Sequence, residues 1–503
     1  LWLLGVEPVW DEGGRVTGVK LVPRAALGRE RVDVVLSATG LYRDHFPNAM
    51  KQLARAVQLA AQAQGPGEDG NPVAAHTRSM AAKLRAQGMG DQAALAAAQT
   101  RIFSSESGNY GTGLDNATLA TDSWQGKKEG DRKLAQLYLS RMQYAYGPDE
   151  STWGSLPGAA QEGKSGIGGN GGKALNLYAE HLRGTEGAVL SRSSNLYGML
   201  TTDDPFQYLG GIALAVRHLD GKAPQLYISN LRATGNGGSG RVEGAAQFLA
   251  KELATRQFHP GYIKGLMAEG YAGTLQVLDA TNNFWGWTAV AREIVRDDQW
   301  QEMADVYVRD KHQLGLKRWF EANNPHALAQ TMERMLEAAR QGYWKADAKT
   351  VAELKERWRD LAERFDVRSD NARFQAYVGQ APAAHNPAAP AAPGYGLDAP
   401  LAQAAPPAAA QAAAPAPPPP PAEPSQPTTP PQSAEPPAAE PPVVSGLLMA
   451  PVPQAEPVSV GPTQAALLAL MLAGITGAGA LRQARRRSVV RPHRIPSLSG
   501  VFK

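Results

Sequence analysis

The hydrophobic positions in the first part of the chain alternate between the spacing of strands and that of helices. Residues 31–37 (RVDVVLS) form a β-branched run that is closed by Gly40, and such a run predicts a buried strand. From about residue 46 to residue 63, the apolar side chains recur at helical spacing, which predicts a helix.

The rest of the body, up to residue 378, becomes increasingly helical. Residues 226–229 (LYIS) predict another strand, and a glycine-rich turn leads from it to a helix expected at about 242–255. From Gln299 onward the pattern is mostly helical, and it ends in a charged helix over 348–365. We therefore predict a mixed α/β fold, with strands and helices alternating in the N-terminal part and a mostly helical end of the body (1–378).

Three segments of very different composition follow the body. Residues 379–464 contain 25 of the 38 prolines and no lysine or arginine, which predicts a disordered Pro/Ala-rich linker. Residues 465–481 are apolar and uncharged. They predict one short transmembrane helix, the alternative being an amphipathic or buried helix.

The basic C-terminal tail predicts the orientation of that helix. Residues 482–503 carry seven basic residues and no acid. By the positive-inside rule this tail is cytoplasmic. The body then lies on the opposite side of the membrane, most naturally in a bacterial periplasm. The alternative is a cytoplasmic body.

Composition and charge exclude several classes of protein. The 503 residues include no cysteine, so disulfide scaffolds, thiolate metal sites and cysteine nucleophiles are excluded. The sequence pI is about 9.0, but residues 1–378 carry 44 basic and 42 acidic side chains. Because the body is nearly neutral, we expect no nucleic-acid partner.

Two glycine-rich motifs are similar to nucleotide-binding loops but lack their context. Residues 158–165 (GAAQEGKS) fit the P-loop pattern, yet a loop precedes them and further glycines follow. Residues 235–240 (GNGGSG) fit the dinucleotide pattern, yet five residues separate them from the strand. We therefore expect no nucleotide site in this chain.

Five short stretches of the body together carry a family resemblance. They are GVEPVWDE with GRVTGV (5–19), RVDVVL with GLYRDHFP (31–47), RIFSSESGNYGTG (101–113), DDPFQYLGG (203–211) and PGYIKG with GYAG (260–273). Over about 1–345, they resemble the C-terminal portion of the CobN/magnesium-chelatase large (H) subunit family, in the family's order.

The resemblance implies a tetrapyrrole metal chelatase subunit of the cobaltochelatase type, a ligase. Such a subunit would bind the macrocycle for insertion of a divalent metal substrate, cobalt or magnesium, with ATP used only by a separate AAA+ ATPase partner. The linker and the membrane segment are not features of a soluble cobaltochelatase. They leave two alternatives open, namely a membrane-anchored periplasmic dechelatase and a non-catalytic tetrapyrrole- or metal-binding uptake protein.

The chemistry implied by the resemblance needs a base for two pyrrole protons near the centre of the ring. Asp203 and Asp204 precede a Gly-Gly turn, where one carboxylate can point into a cleft, and they are the candidate catalytic residues; a helix cap or solvated turn is the alternative. His259 is a further candidate base or ligand, the alternative being an exposed loop histidine.

Four side chains are candidates for holding the tetrapyrrole. Arg101 could pair with a peripheral carboxylate of the ring, or form an ordinary structural ion pair. Tyr110 lies in a glycine-rich loop that suits a flat ligand or a simple turn. Trp285 and Trp287 could stack on the ring or pack in the core. The nine histidines contain no H-x-x-x-H or H-E-x-x-H pair, so the metal ligands stay unassigned.

Overall fold

The structure is a computed structural model that describes residues 1–65, 67–155, 175–192, 198–230 and 241–379. Both glycine-rich motifs, the predicted linker beyond residue 379, the predicted membrane segment 465–481 and the basic tail lie outside these residues.

The strands of the described residues form three small sheets. They are β1 (Val6–Trp10), β2 (Val16–Leu21), β3 (Leu36–Ser37), β4 (Ile102–Ser104), β5 (Tyr144–Ala145), β6 (Gly187–Arg192), β7 (Gln225–Asn230) and β8 (Arg241–Gly244). β1 and β2 form an antiparallel hairpin. The other two sheets have the orders β3-β4-β5 and β6-β7-β8, and in each the first pair is parallel and the second antiparallel.

Helices cover these sheets and build the whole C-terminal part of the described residues. They are α1 (Arg24–Leu27), α2 (Gly40–His45), α3 (Pro47–Ala61), α4 (Pro72–Ala86), α5 (Asp91–Ala98), α6 (Leu114–Leu119), α7 (Gly126–Arg141), α8 (Leu177–Leu182), α9 (Gly211–Asp220), α10 (Ala245–Thr255), α11 (Pro260–Ala268), α12 (Tyr271–Val290), α13 (Asp297–Tyr307), α14 (Leu316–Asn323), α15 (Pro325–Arg340), α16 (Ala348–Phe365) and α17 (Ala372–Val378). A π-helical turn, Phe206–Gly210, leads directly into α9.

The mixed α/β fold with a helical end is confirmed. The predicted helices at 46–63 and 348–365 correspond to α3 and α16, and the predicted strand at 226–229 corresponds to β7. α16 begins where predicted because the carboxylate of Asp347 caps it, accepting a hydrogen bond of 2.8 Å from the amide of Thr350.

Two predicted elements differ in extent from the structure. Of residues 31–37, only Leu36 and Ser37 pair as a strand, because the amide of Val32 bonds instead to the carbonyl of Leu3. The helix expected from about 242 begins at Ala245. The residues before it belong to β8, where Val242 pairs with Ser229 of β7.

Glycines allow the π-helical turn to pack directly on the core. A Cβ atom at Gly211 would lie 2.3 Å from the ring of Tyr138 on α7, and one at Gly286 on α12 would lie 2.7 Å from the ring of Phe206. These separations are shorter than any van der Waals contact, so only glycine fits. The turn is therefore fixed against α12, and the start of α9 that follows it is fixed against α7.

Membrane-spanning character is absent from the helices of the described residues, since none of them combines the necessary length and apolar composition. The segment at 465–481 lies outside that part of the chain.

Candidate functional site

Three of the sequence motifs meet at one place in the fold. The first is α2, which carries residues 40–45. The second is the loop 105–113, which follows β4. The third is the π-helical turn that follows Asp203 and Asp204. π-Helical turns are uncommon and occur frequently at functional sites.

Gln207, in the π-helical turn, ties the loop 105–113 to the acidic pair. Its side-chain oxygen accepts hydrogen bonds of 3.0 Å from both the amide and the hydroxyl of Thr112, and its nitrogen donates to Oδ2 of Asp203 at 2.8 Å. Gly111 lies against this amide with a φ of +74°, a conformation that favours glycine. One buried side chain thus sets the position of both segments.

Tyr208 connects the π-helical turn to α2 and to the loop 105–113. Its hydroxyl lies beside the backbone of Gly40 at the start of α2 and the backbone of Gly111. Burial, together with the charge of Asp204, raises the pKa of Tyr208 to about 12. The phenol therefore stays protonated at neutral pH and can donate a hydrogen bond next to Asp204.

Three carboxylates influence one another electrostatically at this site. Partial burial, and secondly the charge of Asp203, raise the pKa of Asp204. The same two causes raise the pKa of Asp279, on α12. A carboxylate with a raised pKa is a stronger proton acceptor near neutral pH, so the arrangement favours proton uptake.

An exposed aromatic rim, formed by Tyr42, Phe46 and Tyr110, lies beside the acidic turn. The rings of Tyr42 and Phe46 are 5.3 Å apart between centroids, and 62% of the surface of Tyr110 is exposed. The hydroxyl of Tyr110 donates a 2.8 Å hydrogen bond to Asp44. The rim thus presents aromatic faces to solvent, which suits a flat apolar ligand.

The Arg43–Asp44 pair holds this rim in place. Arg43 is buried, pairs with Asp44 at 2.7 Å and donates to the carbonyl oxygen of Ser105 at 2.7 Å. Hydrogen bonds from Arg43 and then from Tyr110 lower the pKa of Asp44 to about 2, although partial burial opposes the shift. Asp44 is therefore ionised throughout the neutral range and keeps Tyr110 oriented.

Met199 and Leu200, shortly before the acidic pair in the sequence, are held by side chains from α10 and α12. Glu252 accepts hydrogen bonds from the amides of Met199 at 2.5 Å and Leu200 at 3.1 Å. Asn283 donates to the carbonyl of Leu200 at 2.9 Å, and the indole of Trp287 donates to that of Met199 at 3.0 Å. Trp287 thus contributes to the site from inside the core.

Both candidate tryptophans are completely buried, which agrees with the core-packing alternative. Trp285 stacks on Trp124 with centroids 6.1 Å apart and donates to the carbonyl of Thr118 at 2.8 Å. In this arrangement neither Trp285 nor Trp287 presents a ring face to solvent, so their binding of a tetrapyrrole stays a prediction.

Arg101 is also enclosed by the protein. Its guanidinium pairs with both carboxylate oxygens of Asp33, at 2.9 and 3.1 Å, and donates to the carbonyl of Ala98 at 2.6 Å. This is the structural ion pair that the sequence left open, and its binding of a ring carboxylate stays a prediction. His259 caps α11, accepting a 3.1 Å hydrogen bond from the amide of Gly261, and its proposed roles as base or ligand stay predictions.

Several residues of the site had no role in the sequence-based assignment. Four of them lie inside the quoted motifs. They are Arg43, Asp44, Gln207 and Tyr208. Asp279 had a separate signal, since it is the only charged residue in the sequence of α12. A single acid in a largely buried helix is unusual unless it faces water or a ligand.

The metal ligands, which the sequence left unassigned, stay unassigned. Within the described residues, no group of three or more histidine, aspartate or glutamate side chains could hold a metal ion.

We expect Gln207→Leu to destabilise the protein by about 2 kcal/mol, because the buried amide of Thr112 loses its acceptor. Urea unfolding followed by circular dichroism measures the change. Gln92→Leu, at an exposed position of α5, is the matched control and should change the stability by less than about 0.5 kcal/mol. Equal stabilities of the two variants would contradict the role of Gln207.

We expect Asp33→Asn to cost about 2 kcal/mol at neutral pH, since a charged acceptor of Arg101 is lost. Burial alone would raise the pKa of Asp33, but the hydrogen bonds from His76 and Arg101 and the charge of Arg101 outweigh it and lower the pKa. The stabilisation by Asp33 is therefore complete above the unfolded-state pKa of about 3.9, and is lost as the pH falls through the lower folded-state value.

Unfolding measured between pH 7 and pH 2 tests this dependence. The stability difference between wild type and Asp33→Asn should stay constant down to about pH 4 and narrow below it. Asp91→Asn, at an exposed carboxylate, should show a small difference at every pH. A stability difference between wild type and Asp33→Asn that increases as the pH falls would contradict the predicted pH dependence.

Known proteins are similar to the body of this chain. Residues 1–351 match the model of a family described as CobN/Magnesium Chelatase. The magnesium-chelatase H-subunit of Cereibacter sphaeroides is 30% identical over 368 residues, which cover 73% of this chain and 27% of that protein. The aerobic cobaltochelatase subunit CobN of Pseudomonas aeruginosa is 30% identical over 345 residues, covering 68% of this chain and 25% of that protein.

A solved structure shows the same similarity. The catalytic subunit of cobaltochelatase from Mycobacterium tuberculosis superposes with a TM-score of 0.61 at 28% identity, over 72% of this chain and 28% of that one. The chain spans about a quarter of the length of the relatives it matches.

Proposed function

Because the chain belongs to the CobN/magnesium chelatase family, we propose that it binds a tetrapyrrole and acts in the insertion of a divalent metal ion, cobalt or magnesium. The observation that carries this proposal is the convergence of three family-like motifs on one acidic turn beside an aromatic rim. The chain would supply the macrocycle-binding part of a chelatase large subunit.

The aromatic rim supports the binding of the macrocycle. Tyr42, Phe46 and Tyr110 expose apolar ring faces, and stacking on a flat conjugated ring would remove these faces from water. Their position beside the acidic turn would bring the ring within reach of the carboxylates.

The three carboxylates support the chemical step. Insertion releases two pyrrole protons while the metal ion enters, so the site needs proton acceptors and an attraction for a dication. Asp204 and Asp279, whose pKa values are raised, would accept the protons. Asp203, held by Gln207, would contribute the negative charge that attracts the metal ion.

We further propose that a separate AAA+ ATPase supplies the energy of ATP hydrolysis to this reaction. The sequence supports it, because neither glycine-rich motif of the chain has the context of a nucleotide site. ATP would thus act only through the partner.

The experiment that tests the proposal is a titration of the full chain with metal-free deuteroporphyrin, followed by its absorption bands, with and without cobalt(II). We expect a saturable spectral shift, and a loss of affinity of about tenfold or more in the double variant Tyr42→Ala/Tyr110→Ala. Trp2→Ala, at another exposed aromatic residue, is the control. The absence of any spectral change would refute tetrapyrrole binding.

A second candidate is removal of metal from a tetrapyrrole in the periplasm, without ATP. It is favoured by the apolar segment 465–481 and the arginines that follow it, since a cytosolic ATPase could not reach a body across the membrane. A reporter fused after Lys503 tests the topology: cytoplasmic activity of the reporter supports it, and periplasmic activity refutes it. Release of metal from the cobalt-loaded porphyrin would then distinguish the two directions of reaction.

A further inference from the structure

A cavity is lined in part by Tyr208, while the carboxylates of the acidic site are not among its lining residues. Its volume is about 530 Å³, which is within the range of small-molecule sites. Most of its wall is apolar and comes from the neighbourhood of β3, α3, α8, β6 and α9, including Val35, Leu36, Leu53, Leu182, Leu190 and Ile212.

One wall of the cavity is polar but electrically balanced. Asp33 lines it, yet both of its oxygens are bound by Arg101, at 2.9 and 3.1 Å, and one of them also by His76, at 2.9 Å. The other charged side chain of the described residues that lines the cavity, Arg183, is largely exposed. Arg183 also pairs with Glu180 at 3.2 Å, so neither charged side chain of this wall is left without a partner.

His181 is a further polar side chain of this wall. Its Nε2 lies 3.5 Å from a guanidinium nitrogen of Arg101. Since arginine only donates hydrogen bonds, Nε2 must accept and the proton lies on Nδ1. Burial, and then the charge of Arg101, hold the pKa of His181 well below its ordinary value, so the ring is neutral.

The Nδ1–H group of His181 has no hydrogen-bond partner among the described residues. Although protein surrounds the imidazole, the ring keeps an accessible surface because it lines the cavity. A neutral donor in an apolar recess is the usual way in which small-molecule sites fix the orientation of a ligand.

We propose that this cavity binds an uncharged apolar molecule with one carbonyl oxygen, and that Nδ1–H of His181 donates a hydrogen bond to that oxygen. A carboxylate is disfavoured, because the arginine side chains at this wall already have carboxylate partners, and burying a charge without a cationic side chain to pair with it costs several kcal/mol. A hydrocarbon without a polar group would leave the imidazole donor unsatisfied. The site does not depend on the proposed chelatase function.

The test is a titration of the full chain with prodan, an uncharged naphthalene ketone whose emission shifts to the blue when it leaves water. We expect saturable binding of one molecule per chain. His181→Phe should weaken the affinity about tenfold, and His181→Gln, which can both accept from Arg101 and donate to the ketone, should restore most of it. His326→Phe, at an exposed histidine, is the matched control and should bind like the wild type.

A cavity-filling variant identifies the place of binding. Ala188 is buried and lines the cavity, so Ala188→Leu should abolish prodan binding while the far-ultraviolet circular dichroism is unchanged. If this variant does not fold, the nitrogen-15 spectrum of labelled His181 decides the assignment of the donor. A proton found on Nε2, unchanged affinity in folded His181→Phe, or no saturable binding by the wild type would each overturn the proposal.

Discussion

Asp204→Asn is expected to slow the proposed metal insertion by about 10²- to 10⁴-fold, the usual contribution of a general base. The carboxylate is next to the phenol of Tyr208 and shares the site with Asp203 and Asp279. Asparagine keeps the shape of the side chain but cannot accept a pyrrole proton. The rate of cobalt incorporation into deuteroporphyrin, followed by absorption with the partner subunits present, measures the effect.

A matched control separates chemistry from folding. Asp122→Asn changes an exposed aspartate and should leave the rate unchanged. The affinity of Asp204→Asn for metal-free deuteroporphyrin should also stay within about threefold, because the aromatic rim is intact. A normal insertion rate in Asp204→Asn would rule out this residue as the base.

The pH dependence of the wild-type rate gives the same residue a second test. A base works when deprotonated, so the rate should fall as the pH drops through the pKa of Asp204. Because that pKa is raised by partial burial and by Asp203, the fall should begin at a higher pH than the ordinary aspartate value of about 3.9 predicts. Asp204→Asn should lose this acid limb.

Trp285→Ala is expected to lower the free energy of unfolding by about 3–5 kcal/mol, the cost of removing a large buried side chain. Trp285 is fully buried, stacks on Trp124 and bonds to the carbonyl of Thr118. Truncation would leave a cavity between α12 and α6 and an unsatisfied carbonyl. Denaturant unfolding followed by circular dichroism measures the loss.

Trp10→Ala is the matched control for this variant, since Trp10 is 60% exposed. It should change the stability by less than about 1 kcal/mol. Trp285→Phe, which keeps an aromatic ring in the core, should lose less stability than Trp285→Ala and bind deuteroporphyrin like the wild type. A selective loss of porphyrin affinity in folded Trp285→Phe would instead support the predicted stacking role.

The sequence predicted helices better than strands, for a physical reason. α16 was predictable to the residue because its apolar face repeats regularly and its ends are marked by Asp347 and the residues after Phe365. The run 31–37 was predicted as a strand, but a strand also needs a partner. In this run the amide of Val32 bonds to the carbonyl of Leu3, a contact that is distant in sequence.

The candidate site was predictable only in part. Asp203, Asp204 and Tyr110 carried signals because paired acids and glycine-rich loops are locally visible. The tryptophans were ambiguous, since an aromatic pair in an apolar segment has the same pattern whether it faces a ligand or the core. Gln207 acts through hydrogen bonds to a distant loop, and Asp279 is influenced by the charge of Asp203. No local pattern reports either effect.

The site is sensitive to deamidation of the Gln207 side chain. Deamidation to glutamate would replace one nitrogen by oxygen, and the 2.8 Å contact with Asp203 would change from a hydrogen bond to a repulsion between two carboxylates. Two acids so close cannot both stay ionised, so one would take up a proton. A single hydrolysed amide would thereby make the connection between the glycine-rich loop and the acidic turn depend on pH, although the backbone and the shape of the residue are unchanged.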